Sequence, residues 1–148
     1  HEVEVDGSVR FVATANVGIE YSATRTIDRA LQDRFISFNI PYLKGQQVKS
    51  YVRKVFGSEV SNSAAPLFKI YDYTHKMFRE GKLSDRLSTR MVLEVMPLVN
   101  EFTLSEILDN VILSLFQQDS SAILNDANII REYADSLGVY NNASQANG

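Results

Sequence analysis

The chain begins with short runs in which apolar and polar residues alternate, the pattern of a strand with one buried face. Residues 3–5 alternate in this way and end in the turn signal Asp6-Gly7, after which extended character resumes over residues 9–13. Residues 35–40 alternate again and stop at a proline. These runs predict a fragment of an α/β sheet over residues 1–42.

From Leu43 onward the apolar positions recur every three or four residues, which is the period of an amphipathic helix. This change in period predicts an all-helical domain over residues 43–138. The polar tail, residues 139–148, has little to bury and is expected to be disordered. The predicted helices cover roughly residues 45–56, 64–79, 89–102, 104–117 and 122–137, and the glycines that close the first, second and last of them are Gly57, Gly81 and Gly138.

Two local signals refine these helices. Pro97 is expected to kink the third helix near Glu94 or to split it after Met96, because proline lacks an N–H donor and clashes with the preceding turn. Thr103 and Glu106 have the spacing of a capping box at the start of the fourth helix. That helix carries a continuous apolar stripe, which predicts burial against other helices.

Composition excludes several classes of function. With 45% hydrophobic residues and a net charge of −3, the chain has enough apolar residues for a core and no bulk charge that would attract nucleic acid or an anionic membrane. It has no cysteine, which removes disulfides, thiolate nucleophiles and cysteine-bound zinc. No apolar run approaches the roughly 20 residues of a membrane span. We therefore expect a soluble cytoplasmic protein, and the strand-like start at His1 suggests a cut inside a longer one.

The residues around Asn16 resemble a known family. Residues 11–16 read FVATAN, and eighteen residues after the asparagine Arg34 stands in an Ala-Leu-x-Asp-Arg-Phe setting. This series is similar to the sensor 1 strand and the following arginine-bearing segment of AAA+ ATPases, within them the MoxR-like group and the ATPase subunit of cobaltochelatase. In the helical part, Leu87-Ser88-Thr89-Arg90 resembles the sensor 2 motif of the same ATPases.

The resemblance implies a role for each of these residues. It makes Asn16 the amide that orients the attacking water, a task that suits a side chain with both a donor and an acceptor. It makes Arg34 the arginine finger that neutralises charge in the neighbouring subunit, with Arg29 and Arg25 close by and able to share the work or to hold the loop. It makes Arg90 the lid arginine that contacts the γ-phosphate, with Arg86 as the alternative. No metal-ligating residue is implied in this chain.

The fold implied by the resemblance is the C-terminal part of an AAA+ α/β core followed by an all-helical lid domain. The parent protein would form a ring, with six subunits as the expected number, and would use ATP and Mg²⁺ to remodel a partner protein. The sequence contains no G-x-x-x-x-G-K-[ST] phosphate loop and no apolar strand ending in adjacent acidic residues. The chain alone is therefore expected neither to bind ATP tightly nor to hydrolyse it, and the identity of the remodelled protein stays open.

Other interpretations stand beside this one. The chain can be a helical interaction or adaptor domain with no nucleotide role, as the apolar stripes of its last helices allow. His75 lies among aromatic residues and is expected to be an ordinary helix-surface or packing histidine rather than a metal ligand. Single-stranded nucleic acid binding would use the basic face of the first helix, and the acidic balance argues against it. That basic face is expected first to be solvated, and the second possibility is that it contacts another subunit. It consists of Lys44, Lys49, Arg53 and Lys54.

Overall fold

The computed structural model describes residues 5–14, 33–36, 38, 40–116 and 123–141. The chain divides into two compact units, His1–Pro41 and Tyr42–Gly148, and each is considered by itself below.

The first unit corrects the predicted α/β core. Residues 5–14, 33–36, 38 and 40 contain no strand, so within the part that the structure describes the predicted sheet is wrong. The apolar side chains expected on a buried sheet face are instead exposed: Val12 is 91% exposed and Ile40 is 86% exposed. A strand exists only when a second strand takes its backbone hydrogen bonds, and an alternating pattern does not carry that information.

The Asp6-Gly7 turn is present, and residues 5–14 around it contain no strand. The carboxylate oxygen Oδ1 of Asp6 accepts hydrogen bonds from the backbone N–H of Ser8 at 2.8 Å and from its hydroxyl at 2.6 Å. The N–H of Val9 donates to the carbonyl of Asp6 at 3.0 Å. An aspartate that accepts from the residue two positions later forms a turn by local bonding alone, without paired strands.

In residues 42–116 and 123–141 of the second unit, all the regular elements are helical. Its helices are α1 (Gly45–Phe56), α2 (Ser58–Ser63), α3 (Ala65–Arg79), α4 (Thr89–Val95), α5 (Leu104–Ile107), α6 (Leu113–Leu115) and α7 (Ile123–Ser136). A 3₁₀ segment (Met96–Asn100) follows α4, and a π-helical segment (Leu108–Ile112) joins α5 to α6. The mostly helical part of the predicted fold therefore holds, and the bounds predicted for α1 are confirmed.

Glycines with positive φ end three of the predicted helices, and a proline shortens a fourth. Gly57, Gly81 and Gly138 have φ angles of 95°, 69° and 77°, in the left-handed region that favours glycine. The α-helix that begins at Thr89 ends at Val95 and tightens into the 3₁₀ segment at Met96, so the predicted helix over residues 89–102 is shorter than expected. The proline at the second position of that segment explains the change.

The core of this unit lies between α1, α3 and the later helices. Its buried apolar residues include Val48 and Val52 of α1 and the predicted stripe of residues 104–116, of which Ile107, Leu108 and Ile112 are at most 2% exposed. The helix α1 approaches α3 so closely that a Cβ added to Gly45 would lie 2.4 Å from the backbone oxygen of Phe68. Only glycine fits at this contact, which fixes the start of α1 against α3.

Candidate functional site

The arginines that the sensor 2 resemblance singles out lie on residues 84–90, which lead from the loop after α3 into the first two residues of α4 and are called here the arginine segment. It is held by side chains from three other parts of the helical unit. The backbone N–H and the hydroxyl of Ser84 both donate to Oδ2 of Asp126 on α7, at 2.8 and 2.6 Å. Because Asp126 is only 4% exposed, these two hydrogen bonds compensate a carboxylate that has left water. The start of the segment is therefore tied to the last helix.

The middle of the segment is tied to α3 through both backbone groups of Leu87. The N–H of Leu87 donates to the hydroxyl of Thr74 at 3.2 Å, and that hydroxyl donates in turn to the carbonyl of Tyr71 at 2.9 Å. The carbonyl of Leu87 lies 2.8 Å from Nε2 of His75. Since a carbonyl oxygen only accepts, Nε2 carries the proton in this contact. Leu87 itself is fully buried, so the segment cannot shift without breaking this packing.

The end of the segment is tied to the residues that open the helical unit. The hydroxyl of Tyr71 donates to the carbonyl of Leu43 at 2.9 Å and lies 3.2 Å from the hydroxyl of Thr89. Tyr71 has one hydroxyl proton, which goes to Leu43, so Thr89 must be the donor in the second contact. One buried side chain of α3 thus connects residue 43 to the first residue of α4.

Arg86 is engaged inside the helical unit. Its NH2 group donates to the hydroxyl of Tyr42 at 2.6 Å, and its guanidinium carbon lies 4.3 Å from the ring centre of Tyr42 and 4.2 Å from that of Phe78. A guanidinium over aromatic faces is held by cation–π attraction as well as by the hydrogen bond. Tyr42 also meets the ring of His75 edge-on, with the ring centres 5.1 Å apart. These contacts make Arg86 part of the packing around Tyr42, the residue that opens the helical unit.

Burial and charge around the segment shift two ionisable groups. Burial lowers the pKa of His75, and the nearby Arg86 lowers it further, while the hydrogen bond to the Leu87 carbonyl acts in the opposite direction. Burial also raises the pKa of Tyr71, partly offset by its hydrogen bond with Thr89. The raised pKa of Tyr71 favours the protonated hydroxyl that donates to Leu43, and the lowered pKa of His75 favours the neutral ring, which still donates from Nε2. The packing role expected for His75 is confirmed by its contacts with Tyr42, Tyr71 and Leu87.

Arg90 differs from Arg86 in its surroundings. It is the second residue of α4, directly after the capping residue Ser88 and Thr89, and its side chain is exposed. Ser88 caps this helix, because its hydroxyl accepts from the N–H of Met91 at 3.1 Å. Among the described residues Arg90 has no hydrogen-bond or ion-pair partner. A fixed backbone therefore presents a guanidinium whose donors face solvent.

The residues expected to act in catalysis belong to the first unit. Arg34 lies in a turn and is exposed. Asn16, Arg25 and Arg29 lie outside the described residues. Within the ranges that the structure describes, no group of three or more His, Cys, Asp or Glu could hold a metal ion, and no helix is long and apolar enough to cross a membrane.

The residues that hold the arginine segment in place were not predicted from the sequence. Ser88 and Arg90 were visible as a local motif, whereas Asp126 lies 42 residues from Ser84 and Tyr42 lies 44 residues from Arg86. The signal that existed was weak: Asp126 is an acidic residue on what periodicity marks as the buried side of its helix. Comparison of the chain with protein-family models, with curated proteins and with solved structures found no match.

Proposed function

We propose that this chain works within an AAA+ ATPase of the MoxR-like group, where its helical unit reads the state of a bound nucleotide. The observation that carries the proposal is the contrast between Arg90 and its surroundings. The arginine segment is fixed by side chains of α3, α7 and the residues that open the unit, yet Arg90 projects from it exposed and without a partner among the described residues. A preorganised, permanently charged donor is what binding to a terminal phosphate requires.

In this proposal the two arginines of the segment have separate tasks. Arg90 contacts the γ-phosphate, so its interaction is present with ATP and absent with ADP. Arg86 holds the arginine segment against Tyr42 and Phe78. A change in the position of Arg90 on hydrolysis would then be transmitted to residues 42 and 43 through Thr89 and Tyr71. Coupling of this kind needs a fixed path of contacts, and the arginine segment provides one.

The remaining roles follow the family resemblance. Asn16 orients the attacking water, and Arg34, with Arg29 beside it, supplies positive charge to the ATP site of a neighbouring subunit. A finger that acts on the neighbour requires a ring, for which we propose six copies. ATP and Mg²⁺ would be held by another part of the parent protein, and the energy of hydrolysis would remodel a protein substrate in the cytoplasm.

The test uses the protein extended to include its upstream coding sequence. Arg90→Ala should reduce ATP turnover by about 10- to 100-fold, since a hydrogen bond to a charged group contributes about 1.5–3 kcal/mol. Arg79→Ala is the matched control, because Arg79 is also exposed and without a partner among the described residues. Equal turnover in wild type, Arg90→Ala and Arg79→Ala would refute the role of Arg90.

The role of Arg34 has its own experiment. Arg34→Ala should lower turnover by about 10³-fold or more, the magnitude of an arginine finger. Mixing Arg34→Ala subunits with subunits defective in nucleotide binding should restore part of the activity, because each kind supplies what the other lacks. Full activity of Arg34→Ala, or no recovery on mixing, would remove the assignment of a finger in trans.

A second candidate is a helical interaction domain with no nucleotide role. It is favoured by the buried core that the helical unit forms from its own residues and by the lack of a phosphate loop in the sequence. This candidate predicts that residues 43–138 fold alone and bind a protein partner equally well with and without ATP. Partner binding that changes with ATP in the extended protein, and loses that change in Arg90→Ala, would exclude it.

A further inference from the structure

Charge is distributed unevenly along the helical unit. Residues 42–82 contain eight Lys or Arg and three Asp or Glu, whereas residues 83–148 contain three Lys or Arg and nine Asp or Glu. The near-neutral total therefore hides a basic first half and an acidic second half. Opposite charge on two parts of one molecule gives it the means to attract another copy of itself.

The basic half exposes a mixed charged and aromatic face on α1. One side of α1 is buried through Val48 and Val52, and an exposed stripe at helical spacing runs along the helix beside that buried side. Tyr51 is 51% exposed and Val55 is 55% exposed on this stripe. The helix contains no acidic residue. The α1 stripe consists of Lys44, Gln47, Tyr51, Lys54 and Val55, and its cations have no ion-pair partner among the described residues.

The acidic half contains an open groove beside α7. Its volume is about 360 Å³, which lies at the low end of the range of roughly 300–1,000 Å³ for ligand pockets and suits one aromatic side chain. Arg131 is already neutralised by Asp109, with NH2 2.9 Å from Oδ1. The two exposed carboxylates of α7, those of Glu132 and Asp135, have no ion-pair partner among the described residues. The groove is lined by Asn128, Arg131, Glu132, Asp135 and Tyr140.

The α1 stripe and the groove belong to helices that pack against α3 at different places. The start of α1 contacts α3 at Phe68 and Asp72, which lie one turn apart on one face of that helix. The helix α7 contacts α3 through Tyr73, whose ring stacks on Tyr133 with centres 3.9 Å apart. Residue 73 is turned by about 100° from residue 72, so the two helices pack on different faces of α3.

We infer that the α1 stripe of one copy docks in the acidic groove beside α7 of a second copy. Tyr51 would enter the groove, and Lys54 would pair with Asp135. The contact joins different surfaces of the two copies, so it repeats head to tail and builds a ring or a filament. A nucleic acid would satisfy the cations of α1 but would be repelled by a chain of net charge −3 and would leave the groove unused. This inference does not depend on the nucleotide role proposed above.

Sedimentation velocity on the 148-residue chain tests the contact. Self-association should be seen as the concentration rises from about 10 to about 500 µM at low salt, and should weaken at roughly 0.5 M salt, where the Debye length falls to a few ångströms. Lys54→Glu and Asp135→Lys should each weaken association at least about tenfold, because each places like charges opposite one another. The double variant Lys54→Glu/Asp135→Lys should regain association, since the pair is restored with the charges exchanged.

The matched control is Lys69→Glu, which reverses an exposed charge on α3 outside both surfaces and should associate as the wild type does. All the altered residues are exposed, and circular dichroism should show unchanged helix content. A wild-type chain that stays monomeric, single variants that associate normally, or a double variant that stays as weak as the single ones would each overturn the inference. Binding of a fluorescent oligothymidine by the monomeric chain, lost in Lys54→Glu alone, would assign the stripe to nucleic acid instead.

Discussion

Removing one hydroxyl from α3 should weaken the connection between the start of the helical unit and the arginine segment. Tyr71 is fully buried, and its hydroxyl contacts the carbonyl of Leu43 and the hydroxyl of Thr89. Tyr71→Phe keeps the ring, so the packing against His75 is retained. The change leaves the carbonyl of Leu43 without its donor and the hydroxyl of Thr89 without its acceptor.

The magnitude follows from these two contacts. Each neutral hydrogen bond contributes about 0.5–1.5 kcal/mol net, so the loss of two is expected to lower the free energy of unfolding by about 1–3 kcal/mol. The upper part of that range applies if water cannot reach the carbonyl of Leu43 once the hydroxyl is gone. The lower part applies if Thr89 turns its hydroxyl to a new acceptor.

Urea denaturation followed by circular dichroism measures this loss. The chain offers a matched control in Tyr73→Phe, the same substitution two residues away, where the hydroxyl has no hydrogen-bond partner among the described residues. Tyr73→Phe should stay within about 0.5 kcal/mol of wild type, as is usual away from such contacts. Equal stability of the two variants would refute the reasoning. Faster hydrogen exchange at Thr89 in Tyr71→Phe alone would locate the effect at the start of α4.

Three further predictions concern the same unit. Gly45→Ala should cost about 1–3 kcal/mol because its Cβ would overlap a backbone oxygen, and urea midpoints equal to those of the exposed-site variant Gln46→Ala would contradict this. Asp126→Ala leaves two donors of Ser84 unpaired and should cost about 1–3 kcal/mol in the same assay, a loss that a wild-type midpoint would rule out. The pKa of His75 is lowered by burial, so the unfolded chain binds the proton more readily than the folded chain does. Its contribution to stability is therefore complete above the ordinary pKa of 6.5 and is lost as the pH falls through the lowered value. Thermal melts should show wild type losing stability relative to His75→Gln on acidification, and a constant difference between them would count against the shift.

Periodicity and capping predicted the helices where the relevant information is local. The residues of α1 repeat every three to four positions and end at Gly57, whose φ of 95° stops the helix, so both bounds could be read from the chain. The capping box at Thr103 and Glu106 is present, with the N–H of Thr103 donating to Glu106 at 2.8 Å. The helix Ser58–Ser63 was missed because its six residues are mostly polar and carry no apolar period.

Features that depend on distant residues could not be predicted in this way. The predicted strands fail because pairing depends on a second strand, which an alternating run such as residues 35–40 does not specify. In the candidate site, too, local features could be predicted and contacts between distant residues could not. Local spacing pointed to Ser88 and Arg90, but the hydrogen bonds from Arg86 to Tyr42 and from Ser84 to Asp126 span more than forty residues, and local spacing does not identify such partners.

Discrimination between ATP and ADP tests the central claim most directly. In the extended protein, the affinity for a non-hydrolysable ATP analogue and the affinity for ADP would be measured for wild type and for Arg90→Ala. If Arg90 contacts the γ-phosphate, the ratio of the two affinities should fall about tenfold or more in the variant, with ADP affinity nearly unchanged. A ratio that is the same in both proteins would contradict the account.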